Sequence, residues 1–439
     1  MAKTHKTTIG MVSLGCDKNR VDAEKVLYKL QESGFQLVQD ASEAEIIVIN
    51  TCAFIDSAKE ESIDAIFEYA EQKRVGKCKK LVVMGCFAER YAQEVKDSMP
   101  EVDLFVGINS YEKIAELVDD KEGVVIMPEN ADFMEGRVLT TPAHYAYLKI
   151  SEGCNNFCTY CAIPFIRGRF RSYKMEDILN EAKQLVDNGV KEIMLVGQDT
   201  TRYGQDLYGK FMLKELIKEL LKLDVARIRL LYMYPELVDD EIIELINSEE
   251  RICNYIDIPL QHIDNEVLKR MNRRSREGQI RDLLARLKAS NSDIAIRSSF
   301  IVGFPGETEK EFENLKEFIS SGIIDYAGFF AYSQEEGTAA AKMDNQIEDS
   351  VKKSREEMLS AIQSEVIVAN HKKYVGKNVK VIYEGIDYDK QMFYGRSEQN
   401  APDIDTLVYF TSDFPVNVGN IYDIKIAKTD FNLYGAAIK

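Results

Sequence analysis

The sequence predicts an α/β protein of three parts: a parallel α/β domain, a partial (β/α)6 barrel and a small antiparallel β-barrel. Two observations predict the first two parts: short apolar runs alternate with helical patterns, and six such strand–helix units follow one another in the middle of the chain. A third observation predicts the last part, because the pattern there changes to short segments of alternating apolar and polar residues. The predicted domains are residues 5–121, 142–374 and 375–439.

The first domain is predicted from apolar runs short enough to be buried strands of a parallel sheet. The runs are residues 8–14, 45–50, 80–84 and 104–106, and the helical patterns include residues 22–33 and 57–73. A less periodic segment, residues 121–141, contains Pro128 and precedes Pro142, which is typical of a linker.

The middle domain is predicted from six strand–helix units. The predicted strands are residues 146–151, 192–196, 227–232, 255–260, 295–303 and 327–332, and the predicted helices include residues 175–188, 213–223, 278–290 and 309–320. In barrels of this kind the chemistry belongs at the carboxyl ends of the strands. A long amphipathic helix, residues 349–374, ends the domain.

The last domain is predicted from segments of period two that are separated by turn residues. They are residues 378–383, 393–397, 406–409, 421–427 and 433–437. Five short strands of this kind favour a small antiparallel β-barrel, an architecture that often binds nucleic acid or protein.

The composition is that of an intracellular enzyme. Among 439 residues, 56 basic and 73 acidic side chains give a formal charge of −17, which argues against a generally nucleic-acid-binding surface and permits a basic protein partner. No stretch approaches the length of a membrane span, and the start lacks a signal-peptide core. We therefore expect a cytoplasmic protein whose eight cysteines are thiols and which has no membrane partner.

Three cysteines are closely spaced directly after the first strand of the partial barrel. Cys154, Cys158 and Cys161 can hold three irons of a 4Fe-4S cluster and leave the fourth iron open to a small molecule. One alternative is a structural zinc site, but such a site needs four ligands and no second cysteine pair follows. The other alternative is cysteines that only pack.

Three further cysteines each follow a predicted strand of the first domain. Cys16, Cys52 and Cys86 should converge, because the carboxyl ends of parallel strands line one edge of the sheet. Three converging thiols again suggest an incompletely ligated cluster, and the alternative is that they are small apolar residues at strand ends. Cys78 and Cys253, the latter placed before a strand, match no such position and are expected to be bystanders.

Together these motifs resemble the methylthiotransferases of the radical S-adenosylmethionine superfamily. The resemblance rests on Gly15-Cys16-Asp17-Lys18-Asn19, Asn50-Thr51-Cys52, Met84-Gly85-Cys86, the loop from Cys154 to Cys161, and a last barrel that is TRAM-like. Lys18-Asn19, Arg167-Gly168-Arg169-Phe170-Arg171-Ser172 and Pro259-Leu260-Gln261-His262 are most similar to the RimO branch. Asp17 departs from that branch, in which proline is common at this place.

The resemblance implies two 4Fe-4S clusters and S-adenosylmethionine as cofactors. Cys154, Cys158 and Cys161 would hold the cluster that cleaves S-adenosylmethionine to a 5'-deoxyadenosyl radical, and Cys16, Cys52 and Cys86 the cluster that handles the transferred sulfur. No catalytic residue beyond the clusters is implied. The product would be an aspartate methylthiolated at its β-carbon in small-subunit ribosomal protein S-twelve, a basic protein, and an electron donor would be a further partner.

Other residues resemble cofactor-pocket positions of the family. Tyr160, Gly197 and Gln198 are expected near S-adenosylmethionine, although Tyr160 could equally pack its loop and a glycine also serves ordinary tight turns. Arg167, Arg169 and Arg171 alternate and would share one face of an extended segment. His262 is a possible proton donor, with a structural histidine as the preferred reading.

Two other functions compete with this one. A methylthiotransferase that modifies adenosine in tRNA typically shows Gln-Met-Asn after the first cysteine and would need a basic last barrel, whereas residues 376–439 contain seven basic and nine acidic side chains. A non-catalytic iron-sulfur carrier would need no partial barrel. Acids expected to be exposed on the last barrel and to attract a basic protein are Asp387, Asp389, Asp403 and Asp405.

Overall fold

The computed structural model describes residues 7–127 and 133–439. Residues 5 and 6 of the predicted first domain and Pro128 of the predicted linker therefore lie outside the described residues. Within the described ranges, no helix combines the length and the apolar character needed to cross a bilayer.

The amino-terminal part is a parallel six-stranded sheet with helices. Its strands are β1 Thr8–Ser13, β2 Gln36–Leu37, β3 Ile46–Thr51, β4 Lys80–Gly85, β5 Leu104–Val106 and β6 Gly123–Val125. Its helices are α1 Asp17–Glu32, α2 Asp56–Val75, α3 Cys86–Val95 and α4 Ile114–Asp120. The strand order is β2-β1-β3-β4-β5-β6, so that β1, β3 and β4 are direct neighbours.

Two features of this sheet were not predicted. Strands β2 and β6 have two and three residues, too few for a periodic pattern to show. Helix α1 begins at Asp17, five residues before the predicted start at position 22. The first turn was missed because its buried residues Lys18 and Asn19, like Asp22, are polar and show no apolar periodicity. Their burial marks a helix that packs on both of its sides.

The central part is an open sheet of six parallel strands in sequential order, β14-β13-β12-β11-β10-β7. The strands are β7 Tyr145–Lys149, β10 Glu192–Val196, β11 Arg227–Leu230, β12 Ile252–Asp257, β13 Ala295–Val302 and β14 Tyr326–Ala331, and a ribbon pairs β8 Ser151–Glu152 with β9 Arg171–Ser172. The helices are α5 Ile163–Ile166, α6 Met175–Asp187, α7 Gln205–Tyr208, α8 Leu213–Leu220, α9 Asp240–Ser248, α10 Asn265–Arg270, α11 Glu277–Ser290, α12 Glu309–Ser320 and α13 Asp349–His371.

The predicted partial barrel is thus confirmed: each of its six strands overlaps a predicted one. Cys253 lies inside β12 and not before it, because that strand begins at Ile252, three residues earlier than predicted. The outer faces of these strands bury Ile228, Leu230 and Ile256 against the helices.

The carboxyl-terminal part is a closed five-stranded barrel in the order β15-β16-β17-β19-β18. Its strands are β15 Asn378–Asp387, β16 Met392–Ser397, β17 Val408–Thr411, β18 Ile421–Thr429 and β19 Leu433–Ala437. One pair departs from the predicted antiparallel arrangement, since β17 and β19 are parallel. The chain reverses twice between them, and the barrel closes between strands that run in the same direction.

This barrel docks against the inner face of the open sheet through buried ion pairs. Glu192 of β10 binds Arg229 of β11 at 2.7 Å and Arg396 of β16 at 3.1 Å. The Tyr255 hydroxyl donates to Asp405 at 2.8 Å. The prediction that Asp405 is an exposed acid is wrong. Its side chain is fully buried between the barrel and the open sheet.

Candidate functional site

The structure brings Cys16, Cys52 and Cys86 together at the carboxyl edge of the amino-terminal sheet. Cys16 is the residue before α1, Cys52 follows β3 directly, and Cys86 begins α3 directly after β4. The pKa of the Cys52 thiol is raised to about 12 by burial and then by the neighbouring Cys86 and Cys16. Because β1, β3 and β4 are adjacent, three positions far apart in sequence form one thiol group, which we call the first thiol group.

Local backbone geometry makes room for the first thiol group. Gly15 has φ of +86°, and a Cβ there would lie 2.8 Å from Cys52 Cβ. The amide of Asn19 donates to the carbonyl of Leu14 at 2.7 Å and to that of Thr51 at 3.2 Å. Asn19 therefore fastens the loops that carry Cys16 and Cys52 to each other.

The second thiol group consists of Cys154, Cys158 and Cys161, in the loop between β8 and α5. Burial and then the neighbouring Cys158 raise the pKa of Cys161, and the pKa of Cys154 rises to about 11, chiefly through burial. Donors surround these sulfurs: the Asn156 amide lies 3.4 Å from Cys154 Sγ and the Arg273 guanidinium 3.8 Å from Cys158 Sγ.

Both thiol groups fit a cationic cluster better than they fit free thiols. Burial disfavours the thiolate that a metal requires, and a bound metal reverses that penalty. Among residues 7–127 and 133–439, no three His, Cys, Asp or Glu side chains stand close enough to hold a single metal ion. Three thiolates are the ligand set that can hold three irons of a 4Fe-4S cluster and leave the fourth iron open.

Several residues around the second thiol group were missed from the sequence. Asn156 donates to Asp199 at 2.8 Å, and Arg202 pairs with the same carboxylate at 3.2 Å. Asp199 directly follows Gly197-Gln198, and this neighbouring position in the sequence is the signal that could have identified it. Arg273 gave none, since it follows α10 in a basic run that resembles a solvated surface.

The three predicted cofactor-pocket residues lie beside the second thiol group. Gln198 donates to Glu152 at 3.0 Å, and its Oε1 is buried without a protein partner among the described residues. A Cβ at Gly197 would lie 2.6 Å from Ser151 Oγ, another buried and unpartnered atom. Unsatisfied buried polar atoms next to a glycine suit the polar end of a bound small molecule. Tyr160 packs in the cluster around Phe304.

Arg167 links the first thiol group to the strand that precedes the second thiol group. Its guanidinium lies 3.5 Å from Cys86 Sγ and pairs at 2.9 Å with both Asp22 of α1 and Glu152 of β8. Lys149 joins the same two carboxylates, so two buried cations and two buried anions form a closed network. This network fixes α1 and the first thiol group against the loop of the second.

Arg167, Arg169 and Arg171 were expected to share one face, and this prediction is wrong. Gly168 has φ of +74°, which turns the chain between Arg167 and Arg169. Arg167 is consequently buried, while Arg169 is exposed and lies over the Phe157 ring at 5.2 Å. The segment becomes extended only at Arg171, where β9 begins.

The segment from Tyr232 to Tyr234, just beyond β11, spans the space between the thiol groups. Burial is the main cause of the raised pKa of both tyrosines; Cys16 contributes at Tyr232, and Cys158 and Cys154 at Tyr234. Tyr232 adopts φ of +56°, which is rare for a bulky residue and characteristic of functional sites.

His262 is fully buried beside Glu307, with its Nε2 4.0 Å from that carboxylate. Burial lowers its pKa to about 3. A histidine that resists protonation and faces the protein interior is a structural residue, which agrees with the preferred reading.

Comparisons with known proteins agree with this architecture. Residues 148–319 match the Radical SAM superfamily, residues 8–107 match the Uncharacterized protein family UPF0004, and residues 375–438 match the TRAM domain. Among solved structures, the radical S-adenosylmethionine methyltransferase TsrM from Kitasatospora setae is similar in fold, with a TM-score of 0.55, 14% identity and coverage of 74% of this chain and 73% of that chain.

Full-length relatives are also found. A Clostridium botulinum protein named ribosomal protein uS12 methylthiotransferase RimO is 46% identical over 438 residues, with 98% of each chain covered. A protein of the same name from Acetivibrio thermocellus is 45% identical over 448 residues, with 99% of each chain covered.

Proposed function

This chain belongs to the RimO methylthiotransferases of the radical S-adenosylmethionine superfamily, and we propose that it attaches a methylthio group to the β-carbon of an aspartate in ribosomal protein uS12. One observation carries the proposal: two groups of three cysteines lie at the carboxyl ends of two parallel sheets, and Arg167 joins Cys86 of the first group to Glu152, two residues before Cys154 of the second. A sulfur-transferring radical enzyme needs two such sites side by side, whereas an electron carrier does not.

Radical S-adenosylmethionine enzymes use a 4Fe-4S cluster and S-adenosylmethionine, and these supply hydrogen removal from an unactivated carbon. We assign that cluster to Cys154, Cys158 and Cys161, and a second cluster, which would supply the sulfur site, to Cys16, Cys52 and Cys86. Gln198, Gly197 and Tyr160 are assigned to binding S-adenosylmethionine. The corresponding domains are residues 5–121, 142–374 and 375–439.

The protein's own residues hold and shield these sites. Asn156 and Arg273 direct hydrogen-bond donors at the sulfurs of Cys154 and Cys158 and stabilise them as thiolates. Arg167 does the same for Cys86. Tyr232 and Tyr234 line the space between the groups with aromatic surface, which limits water there.

The last barrel supports a protein substrate over tRNA. Asp389 and Asp403 are exposed, Asp387 is partly exposed, and the barrel carries more acidic than basic side chains. A negative field favours a basic ribosomal protein and disfavours phosphates. An electron donor is a further partner that the reductive chemistry requires.

Anaerobic reconstitution with iron and sulfide, followed by turnover on purified uS12 and on tRNA, tests the function. Mass analysis should find a methylthio group on a uS12 aspartate and none on tRNA nucleosides. Modification of tRNA alone would assign the chain to the other branch, and release of no 5'-deoxyadenosine would leave only an electron carrier.

A further inference from the structure

Lys18 places a buried positive charge at the mouth of the first thiol group. It is the second residue of α1, two positions after Cys16, and only 7% of its surface is exposed. Its ammonium lies 3.2 Å from the centre of the Tyr232 ring. The cation thus sits at the segment that spans the two thiol groups.

No carboxylate among the described residues pairs with this ammonium. Asp17, its neighbour in sequence, instead accepts a hydrogen bond from the Tyr232 hydroxyl at 3.1 Å. A ring face offsets only part of the hydration that a buried ammonium loses, and buried charges in proteins are normally paired. Lys18 therefore carries a buried positive charge that has no anionic partner among the described residues.

The other cations of this region are already engaged. Lys149 and Arg167 share Asp22 and Glu152, and Arg297 pairs with Asp257 at 3.0 Å. Arg273 donates to the Pro259 carbonyl at 2.7 Å and approaches Cys158. Lys149, Arg167 and Arg297 cannot turn to a new anion without breaking a buried pair, which is costly. Arg273 faces Cys158 of the second thiol group and not the first.

Exposed residues precede Lys18 in the loop that carries Cys16. Cys16 is exposed, as are Ser13 and Gly15 before it. Tyr232 is half-buried, so the ring that holds the ammonium also borders the opening. Tyr232 has φ of +56°, a backbone conformation that is uncommon for a bulky residue.

We propose that Lys18 binds the side-chain carboxylate of the substrate aspartate and so selects an aspartate for modification between the two thiol groups. The proposal rests on the proposed function, since it names the group that this same site recognises. A hydrogen-bonded ammonium–carboxylate pair away from water provides both attraction and orientation. It brings the carbon next to the carboxylate to the space that Tyr232 and Tyr234 border.

Binding without turnover tests this inference. Reconstituted enzyme with S-adenosylmethionine and no reductant is titrated with uS12 and with uS12 whose target aspartate is replaced by asparagine. The wild type should prefer the aspartate form by about tenfold to a hundredfold, the range for a hydrogen bond to a charged group. Lys18→Met should bind both forms equally, and Lys18→Arg should retain the preference.

Two further variants make the result decisive. Lys18→Gln removes the charge but keeps a polar side chain, and it should lose the preference as Lys18→Met does, with iron content unchanged. Lys29→Met, in the last turn of the same helix, should behave as the wild type. A neutral variant with full iron content that still prefers aspartate overturns the role of Lys18. A wild type that binds neither form of uS12 overturns the proposed function, and this inference with it.

Discussion

At the scale of single residues, thiols are distinguished by their surroundings. Cys52 is buried among other thiols, whereas Cys78 is buried in the same domain against backbone groups of Ile47 and Lys80, the Lys80 carbonyl at 3.4 Å. Both have raised pKa values, mainly because of burial. Convergence with other cysteines, and not burial, therefore separates the proposed cluster ligand Cys52 from Cys78.

Replacing Cys52 by alanine should remove one cluster and leave the other. Iron content should fall from about eight to about four per chain by the 4Fe-4S stoichiometry. Methylthiolation should stop while reductive cleavage of S-adenosylmethionine continues. Iron analysis and chromatography of 5'-deoxyadenosine measure both effects, and Cys78→Ala should change neither. An unaltered iron content in Cys52→Ala would rule out the first thiol group as a cluster site.

His262 should make stability depend on pH. Its pKa is lowered from about 6.5 to about 3, mainly by burial, and Asp264, Glu307, Arg270 and Arg355 surround it. Unfolded chains therefore take up the proton first, so the stability contribution is complete above about pH 6.5 and is lost as the pH falls toward 3.

The expected loss from His262 is about 1.5 kcal/mol between pH 6.5 and pH 5, at up to about 1.4 kcal/mol per pH unit. Glu307, whose pKa burial raises to about 7, acts in the opposite direction in this range, so the difference between wild type and His262→Gln isolates the histidine. Urea unfolding at several pH values measures it. His262→Gln should be less stable than the wild type at pH 7 and should show a flatter dependence below it. Parallel curves for both proteins would show that another group is responsible.

At the scale of secondary structure, α1 is the element that joins two domains. One side packs on the amino-terminal sheet, and the other places Asp22, Glu24 and Lys25 against residues of the central domain. Glu24 pairs with Arg137 and also accepts hydrogen bonds from the backbone and hydroxyl of Thr140, both at 2.8 Å. Buried pairs of this kind impose a definite orientation on the helix.

Glu24→Ala should lower the free energy of unfolding by about 3–5 kcal/mol, because the buried charge of Arg137 then loses one of its two carboxylate partners and keeps Glu181. Chemical denaturation of the apoprotein measures the effect. Gln31→Ala, at an exposed position of the same helix, is the control and should change stability by less than about 0.5 kcal/mol. Equal effects of the two substitutions would mean that α1 does not depend on its ionic contacts.

At the scale of the whole molecule, the amino-terminal domain bridges the open side of the partial barrel. Helix α1 meets β7, the first strand, through the network of Asp22 and Lys149. Arg90 and Lys59 bind Glu335, which follows the last strand β14, at 2.7 and 3.2 Å. The domain is thus held at both edges of the open sheet, and the two thiol groups cannot drift apart.

The last barrel should recruit uS12 by charge. Reversing Asp387, Asp389 and Asp403 to lysine should slow association with uS12 several-fold at low salt, with a difference that shrinks as salt rises. Affinity for tRNA should increase. Stopped-flow binding at two salt concentrations measures these changes, with Glu244, Glu250 and Glu357 reversed on the central domain as the matched control. A reversed barrel that associates as fast as the wild type would exclude this surface.

Asp405 is left out of that set because its charge is used inside the protein. Deleting residues 375–439 is also a poor test of recruitment. It would strip buried Arg227 and Arg229 of the carbonyls of Lys380 and Glu398 that they bind at 2.7 and 2.8 Å. A truncated chain would therefore lose stability as well as substrate binding.

Periodicity and cysteine spacing were sufficient for the architecture and for the positions of the six cysteines. Parallel strands alternate with helices in a way that leaves one arrangement of carboxyl ends, so residues after β1, β3 and β4 had to share an edge. Strands β2 and β6 were not predicted, because edge strands of two or three residues are too short to show a periodic pattern.

The sequence by itself determined the fold class and the identity of the family, because these depend on local patterns and on strand order. Only the tertiary structure decided that Arg167 is buried against Cys86, that the Asp405 side chain is buried beneath the last barrel, and that Lys18 has no anionic partner among the residues described. The sequence does not distinguish a charged side chain that is solvated from one that is buried. Its role is set by neighbours that come from other domains.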